Sequence, residues 1–295
     1  MPNNSMAYRA QKTVPVPRLG TGIGLRAAHF TDVLETKPDI GFLEIHSENF
    51  FHCQGIGFET LQDTAKHYPI SMHGVGLSLG SADGISTEHL QKLKNLNDAI
   101  NPIFISEHLS WSQFQGQAFP DLLPLPMTKE ALDLFADHVN QTQDFLGRQI
   151  LIENPSAYLS YDFNDIEEPL FLRQLVERTH CGLLLDINNI HVSCHNMKQS
   201  AQKYLDAFPF EAVQEIHLAG YQINHVDGHD IFIDAHNHPV YPAVWKLYET
   251  CLSMMGDCNT LIEWDNDLPP LTDLVAEAHK ADQYREVQKL QVQHA

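Results

Sequence analysis

The chain has 295 residues, enough for one large domain or two ordinary ones, and its hydrophobic fraction of 43% is sufficient for a globular core. The formal net charge of −20 argues against a nucleic-acid partner, because phosphate contacts require a basic surface. No stretch approaches about eighteen consecutive apolar residues, and the N-terminus lacks the layout of a secretory signal. We therefore expect a cytoplasmic protein with no membrane contact.

The counts of cysteine and histidine narrow the chemistry further. The five cysteines form an odd set without CxxC spacing, which fits free thiols in a reducing compartment better than disulfides or a thiolate zinc site. The 18 histidines equal the lysines and arginines combined. Such a high histidine count favours a function in metal binding or acid–base chemistry.

Short apolar runs recur along the chain, each followed by polar residues and then by a helix-like stretch. Helical spacing of leucines and isoleucine is clearest over residues 85–100, and residues 128–147 form a second helix that Thr128 can cap and Gly147 can end. The eight runs that we predict to be strands are residues 21–26, 41–46, 70–76, 103–109, 150–155, 182–188, 213–219 and 260–265.

Eight strands alternating with helices predict a closed (β/α)8 TIM barrel. The alternative is an open, doubly wound sheet, but its nucleotide-binding form requires a phosphate-binding glycine turn after the first strand. The glycines of GTGIGLR lie within the strand itself, which weakens that alternative. We expect one domain over residues 1–295, with a barrel core at about 19–280 and short flexible tails at both ends.

Most of the predicted strands end in side chains that can bind a metal or transfer a proton. In a TIM barrel these ends meet at one rim, where the active site lies. Burying so many carboxylates together is costly without cations, and mixed carboxylate and imidazole ligands suit Zn, Fe or Mn. The side chains at these ends are Glu44, His46, Glu48, His73, Glu107, His108, Glu153, Asn154, Asp186, Asn189, His191, Glu215, His217, Glu263 and Asp265.

Three metal positions can be drawn from this set and from a loop at residues 225–239. The first takes His73, His108 and Glu153. The second shares Glu153 and adds Asp186, His217 and Glu263, whereas the third takes Asp234 and His236 of the loop, with Asn189 nearby. Because the alternation of side chains is ambiguous at a strand end, Glu107 can replace His108 and Asn154 can replace Glu153.

Several of these segments resemble one known family. They are GIGLR, FLEIHSENFF, HGVGLSLG, SEHLSW, LIENPSAY, LLLDINNIHVS, EIHLAGY, DAHNHPV and LIEWD. In this order they are similar to segments of the multinuclear non-haem iron-dependent oxidases, a family formerly known only as a domain of unknown function and typified by methanobactin biosynthesis. The resemblance covers roughly residues 19–266 and implies a xylose-isomerase-like TIM barrel holding two or three iron ions.

The resemblance also implies an activity and a set of site residues. The activity is O₂-dependent modification of cysteine, or of another residue, in a ribosomally made precursor peptide, with the help of a partner protein that recognises the leader segment. His46 and Glu48 are placed beside the metals and, with Asp186, are the expected catalytic residues. The metal ligands carried over from the family are His73, His108, Glu153, Asp186, Asn189, His217, Asp234, His236 and Glu263.

One departure from related barrels concerns the strand end DINNIH. His191 is the imidazole of this segment, but the comparison favours Asn189 as the ligand. The zinc-dependent endonuclease IV enzymes typically have a histidine there, so the asparagine argues against a trinuclear zinc phosphodiesterase. Two alternatives stay open: a Zn or Mn hydrolase or sugar isomerase using the same pocket, and a non-enzymatic metal-binding protein.

Overall fold

The computed structural model describes residues 16–293, and eight of the strands in this range close into a parallel barrel. Together with two hairpins, the strands in chain order are β1 (Thr21–Gly24), β2 (Leu43–His46), β3 (Ile70–His73), β4 (Phe104–His108), β5 (Ser110–Phe114), β6 (Gln117–Pro124), β7 (Leu151–Glu153), β8 (Gly182–Asp186), β9 (Val213–Ala219), β10 (Gln222–Val226), β11 (His229–Ile233) and β12 (Asn259–Glu263).

The order of strands around the barrel is β1-β12-β9-β8-β7-β4-β3-β2, and β1 closes it by pairing in parallel with both β12 and β2. This confirms the (β/α)8 barrel and rules out the open sheet. Each of the eight predicted runs overlaps one barrel strand, and β12 begins one residue before its predicted run, at Asn259. The run predicted at residues 70–76 is longer than β3, which ends at His73.

Helices connect the barrel strands and cover their outer faces. The two predicted helices correspond to α3 (Thr87–Ile100) and α4 (Lys129–Leu146). Thr128 caps α4 by accepting a hydrogen bond from the Ala131 amide, and Gly147 ends it with a φ of 72°. The helices are α1 (Phe30–Thr36), α2 (Ile56–Thr64), α3 (Thr87–Ile100), α4 (Lys129–Leu146), α5 (Glu168–Thr179), α6 (Ile187–Asn196), α7 (Ala201–Ala207), α8 (Pro242–Met255) and α9 (Leu271–Gln293).

The two faces of the barrel wall have opposite character. Outward side chains such as Ile45, Met72 and Leu185 are buried in the main hydrophobic core under the helices. Inside, a separate small apolar cluster of Phe104, Leu151 and Leu184 lies low in the barrel. Nearer the carboxyl ends of the strands, the inward side chains are carboxylates, imidazoles and serines. On each of these three strands the next inward position, about two residues after the apolar one, is already polar.

Both hairpins lie in connections that follow barrel strands. The hairpin β5–β6 follows β4, and the hairpin β10–β11 follows β9, where the sequence predicts only a loop. Asp234 and His236 come directly after β11. The expected N-terminal tail falls largely outside the described residues, whereas the expected C-terminal tail is helical as far as Gln293. Within residues 16–293 no helix combines the length and the apolarity that a membrane span requires.

Gly220 allows the segment after β11 to pack against the end of β9. A Cβ built at this position lies 2.1 Å from the carbonyl oxygen of His238, which is backbone and has little freedom to yield. We expect Gly220→Ala to lower the free energy of unfolding by about 2 kcal/mol, the cost of overpacking, in urea titrations of the metal-free protein.

Gly57→Ala is the matched control, because Gly57 lies in α2 and the nearest atom to its built Cβ is 3.9 Å away. This substitution should raise the free energy of unfolding by about 0.5 kcal/mol, since alanine restricts the unfolded chain. Equal effects of the two substitutions would show that the contact between Gly220 and His238 does not limit the packing of this segment.

Candidate metal centre

A group of ionisable side chains lies inside the barrel near the ends of its strands. Strand pairing places His108 of β4 beside Glu153 of β7, and Asp186 of β8 beside His217 of β9. All are nearly inaccessible to solvent; Asp186 and His217 are 0% exposed. We call this group the central cluster, and its members are His73, His108, Glu153, Asp186, His217 and Glu263.

Two imidazoles of the central cluster face one carboxylate oxygen. The Nε2 atoms of His73 and His108 lie 3.3 and 3.1 Å from Glu153 Oε2. His108 donates from Nδ1 to the carbonyl oxygen of Gly74 at 3.0 Å, because a carbonyl can only accept. Burial lowers the pKa of His108 to about 4, so the ring is neutral and its Nε2 keeps a lone pair. Burial likewise holds the pKa of His73 well below its usual value.

His217 lies between two carboxylates in the middle of the barrel. Its Nε2 is 3.2 Å from Glu44 Oε2, and its Nδ1 is 3.2 Å from Glu263 Oε2. Burial alone lowers the pKa of this imidazole, but Glu44 and Glu263 outweigh burial and raise it well above its usual value. A ligand atom of His217 also lies within 4.8 Å of ligand atoms of Glu153 and Asp186. One imidazole is therefore shared by several acids.

The acids of the barrel interior outnumber the groups that could neutralise them. Burial, followed by the charge of Asp234, raises the pKa of Asp186 to about 8. Burial and the charge of Glu44 raise the pKa of Glu215 to about 8, although Ser71 donates a hydrogen bond to it at 3.2 Å. Without cations the interior must hold protons on several carboxylates, and bound metal ions would displace these protons.

Asp234 and His236 approach the central cluster from the side of the β10–β11 hairpin. His236 Nε2 lies 2.6 Å from Asp234 Oδ1, and its Nδ1 lies 3.4 Å from Glu263 Oε2. Asn188 Nδ2 donates to Asp234 Oδ1 at 2.8 Å. The third predicted position therefore adjoins the second through Glu263.

Asn189 and His191 have different surroundings, although both follow β8 at the start of α6. The Nδ2 atom of Asn189 donates to Glu153 Oε1 and to the carbonyl of Asn154, and its buried Oδ1 has no partner within residues 16–293. His191 instead hydrogen bonds with the Tyr221 hydroxyl at 3.2 Å, and its ring packs against Tyr221. Asn189 faces the central cluster, whereas His191 belongs to an aromatic cluster beside it.

His46 lies at the edge of the central cluster, in a network that the sequence did not reveal. Its Nε2 is 3.1 Å from an Arg26 guanidinium nitrogen and 3.4 Å from Asp265 Oδ2. Arg26 also donates from Nε to Asp265 at 2.8 Å. Although burial raises the pKa of Asp265, Arg26 outweighs burial and holds that pKa far below its usual range. Arg26 was not among the predicted site residues because its positive charge excludes it as a metal ligand.

The structure also assigns the two pairs that strand alternation left open. Glu153 joins the central cluster, while Asn154 hydrogen bonds with the backbone of Asp186 on both its amide and its carbonyl. His108 joins the central cluster, and Glu107 faces a different group with Glu48 and His89. Glu48 is therefore separated from His46, with which the sequence had grouped it. Glu44 contacts His217 directly, but it was absent from the predicted ligands.

The donor atoms of the central cluster fit metal ions. Burial raises the pKa of Glu153 well above its usual value, so without a cation this carboxyl holds a proton that it can donate to His108 Nε2, which lies 3.1 Å from Glu153 Oε2. A cation bound by both atoms would replace that proton. Four further oxygens in this region are buried and have no hydrogen-bond partner among the described residues. They are Glu44 Oε1, Asp186 Oδ2, Asn189 Oδ1 and Glu215 Oε1.

A cavity of about 680 Å³ opens beside this cluster. Asn154 and Asn189 line it at the barrel end, and it extends between the segment after β7 and helices α5 to α7. Tyr161, Met197 and Tyr204 are among its other lining residues. The volume lies within the range of small-ligand sites, roughly 300 to 1,000 Å³.

Solved structures that resemble this chain are TIM barrels with very different sequences. D-psicose 3-epimerase of Clostridium cellulolyticum H10 aligns with a TM-score of 0.59 at 10% identity, covering 91% of this chain and 98% of that one. A xylose isomerase domain containing protein of Salmonella typhimurium aligns with a TM-score of 0.58 at 10% identity, covering 92% and 99%. Endonuclease IV of Thermus thermophilus gives 0.54 at 12% identity, covering 92% and 99%. These likenesses confirm the xylose-isomerase-like fold.

Sequence comparison shows the family. A UPF0276 protein of Psychromonas ingrahamii is 48% identical over 261 residues, covering 88% of this chain and 92% of that protein. A UPF0276 protein of Vibrio parahaemolyticus is 48% identical over 260 residues, covering 88% and 90%. The family described as "RiPP precursor modification enzyme MbnB/TglH/ChrH" matches residues 20–286. The resemblance identified from the sequence motifs is thereby confirmed, and the chain belongs to the MbnB/TglH/ChrH family of RiPP precursor modification enzymes.

Proposed function

We propose that this protein is a multinuclear non-haem iron enzyme that uses O₂ to modify cysteine, or another residue, of a ribosomally synthesised precursor peptide. The observation that carries the proposal is the central cluster, where neutral imidazoles and unpartnered carboxylates converge inside a barrel of a peptide-modifying family. We further propose that the chain acts in the cytoplasm and that its barrel is one domain. No nucleic acid or membrane takes part, in keeping with the acidic charge.

The proposed ligands fall into three adjoining positions. His73, His108 and Glu153 form the first, and Glu153 is shared with a second made by Asp186, His217 and Glu263. Asp234 and His236 form the third. Asn189 holds Glu153 Oε1 through its amide nitrogen, and its Oδ1 is available as a neutral ligand. Two or three iron ions can be held in this way.

Iron held in these positions would supply the redox chemistry with O₂ that amino-acid side chains cannot perform. The protein fixes its ligands through their outer contacts: Gly74 orients His108, and the serine hydroxyl of Ser106 lies 2.7 Å from His73 Nδ1. The side chains of the central cluster are nearly inaccessible to solvent, which limits the contact of bulk water with the ligand atoms. Asp186 would give up its proton on binding a metal ion, and His46, which contacts Arg26 and Asp265, is the side chain placed at the rim to transfer a proton.

The cavity beside Asn154 and Asn189 is the proposed binding place of the peptide residue to be modified. It adjoins the central cluster and is large enough for a few side chains. Its walls combine aromatic and methionine side chains with asparagines, so both the apolar and the amide groups of a peptide find partners there. A second protein that binds the leader segment would deliver the peptide to this opening.

A second candidate function is a hydrolase or sugar isomerase that uses Zn or Mn in the same ligands. The observation in its favour is the donor set, since carboxylate and imidazole ligands also suit these metals. The two functions differ in their need for O₂ and in the metal that supports turnover.

The first test compares iron with zinc. Protein purified without oxygen and loaded with iron should consume O₂ when the precursor peptide encoded beside its gene is added, together with its partner protein. Mass spectrometry should then show a changed peptide mass. Zinc-loaded protein should be inactive. Full activity with zinc in the absence of O₂ would overturn the proposed oxidase and favour the hydrolase.

The second test separates Asn189 from His191. Asn189→Ala removes a buried oxygen that faces the central cluster. We expect this variant to hold one iron ion per chain less, or to bind that ion with an affinity at least tenfold lower. Metal analysis after dialysis measures both outcomes. His191→Ala should leave iron content unchanged, because that imidazole contacts Tyr221. The reverse result would show that His191 is the ligand.

A further inference from the structure

A second group of metal-competent side chains lies outside the central cluster, on the outer side of the barrel wall. Glu48 belongs to a short 3₁₀ turn that follows β2, Glu107 lies on β4, and His89 lies on α3. One ligand atom from each lies within 4.8 Å of the others. We call Glu48, His89 and Glu107 the outer cluster.

Strand alternation explains why Glu107 is separated from the central cluster. His108 points into the barrel, so the preceding Glu107 points the opposite way, into the layer between strands and helices. Its neighbour two residues earlier, Ile105, packs there in the main hydrophobic core. Glu107 is only 2% exposed, and its Oε1 has no hydrogen-bond partner in the described part of the chain. A carboxylate in this layer is costly unless a cation or a proton balances it.

The glycines of the segment HGVG make room for the outer cluster. A Cβ at Gly74 would lie 2.0 Å from Glu107 Oε1, and a Cβ at Gly76 would lie 3.1 Å from His89 Cε1 and 3.2 Å from Glu48 Oε1. The segment is therefore shaped around the three side chains. Any larger residue at position 74 would fill the space beside the Glu107 carboxylate.

Backbone contacts orient the Glu48 carboxylate through one of its oxygens. Glu48 Oε1 accepts hydrogen bonds from the amides of Val75 and Gly76 at 3.0 and 2.8 Å. Its other oxygen is buried and has no hydrogen-bond partner among residues 16–293, and the same is true of His89 Nε2. His89 Nε2 lies 3.5 Å from Glu48 Oε1. Each member of the cluster thus presents one buried atom that a cation could bind.

We infer that Glu48, His89 and Glu107 form a separate divalent-cation site. Two carboxylates and one imidazole suit Mn²⁺, Zn²⁺ or Fe²⁺, and with only three protein ligands the ion would complete its coordination with water. The site would tie α3 and the turn after β2 to the segment at Gly74–Gly76. Because the Gly74 carbonyl holds His108 Nδ1, the ion would also steady one side of the central cluster.

The test counts ions in the full-length protein with Mn²⁺ as the only metal. Metal-free protein is titrated with Mn²⁺, and bound ions are counted by metal analysis after removal of free metal. His89→Gln and Glu107→Gln should each bind one Mn²⁺ per chain less than the unmodified protein. Glu88→Gln, the neighbouring position on α3 with a 79% exposed side chain, should bind the same number as the unmodified protein.

A second measurement keeps the result clear if Glu107→Gln folds poorly or disturbs His108. Crystals of the unmodified protein grown with Mn²⁺ should give an anomalous-scattering peak among the three side chains of the outer cluster. That peak should persist in Asp186→Asn, which alters only the central cluster. An absent peak, or unchanged Mn²⁺ binding in folded His89→Gln, would overturn the site and leave the cluster as a hydrogen-bonded group with a protonated Glu107. Neither outcome depends on the proposed oxidase activity.

Discussion

Electrostatic balance inside the barrel is the constraint on which this structure depends. Eight short strands bring carboxylates and imidazoles into one enclosed volume, and too few positive side chains accompany them. The chain offsets part of the cost with hydrogen bonds from Ser71 and Asn189 and with the charge of His217. The remaining acids need protons or cations. The balance of charge inside the barrel therefore constrains this protein alongside its hydrophobic core.

The outer face of the same strands supplies the stability that the inner face does not. Apolar side chains alternate with the polar ones along most of the strands, so each inward carboxylate has at least one chain neighbour that packs under the helices. Glu107 on β4 is an exception, because it is a carboxylate on the outer face. The strands stay in place even when the interior is highly charged. Functional residues can therefore accumulate at the strand ends without removing apolar contacts from the core.

The fold was predictable because most barrel strands lie in short runs rich in Ile, Leu, Val and Phe, with helical segments between them. The two hairpins were missed, although Asp227 and Gly228, with φ of 50° and 80°, form the kind of two-residue turn that favours a hairpin. That Asp-Gly pair was a usable signal. The hairpin signal in residues 110–124 is weaker. The turn there is Gln115–Gly116, and apolar and polar residues do not clearly alternate in its two strands.

The central cluster was largely predictable from strand ends, because parallel strands bring those ends to one rim. Contacts across the barrel were not predictable in the same way. Glu44 and His217 are 173 positions apart in the sequence, and no local sequence pattern indicates that their side chains are in contact. The outer cluster was missed for a related reason, since His89 lies on a helix and meets Glu48 only after the segment between β3 and α3 folds over.

The small apolar cluster of Phe104, Leu151 and Leu184 has a consequence for how the barrel interior is reached. Its side chains lie below the charged layer, so the carboxylates and imidazoles above it face the strand ends. We therefore expect any ion of the proposed centre to enter and leave at the strand ends, past Asp234 and His236.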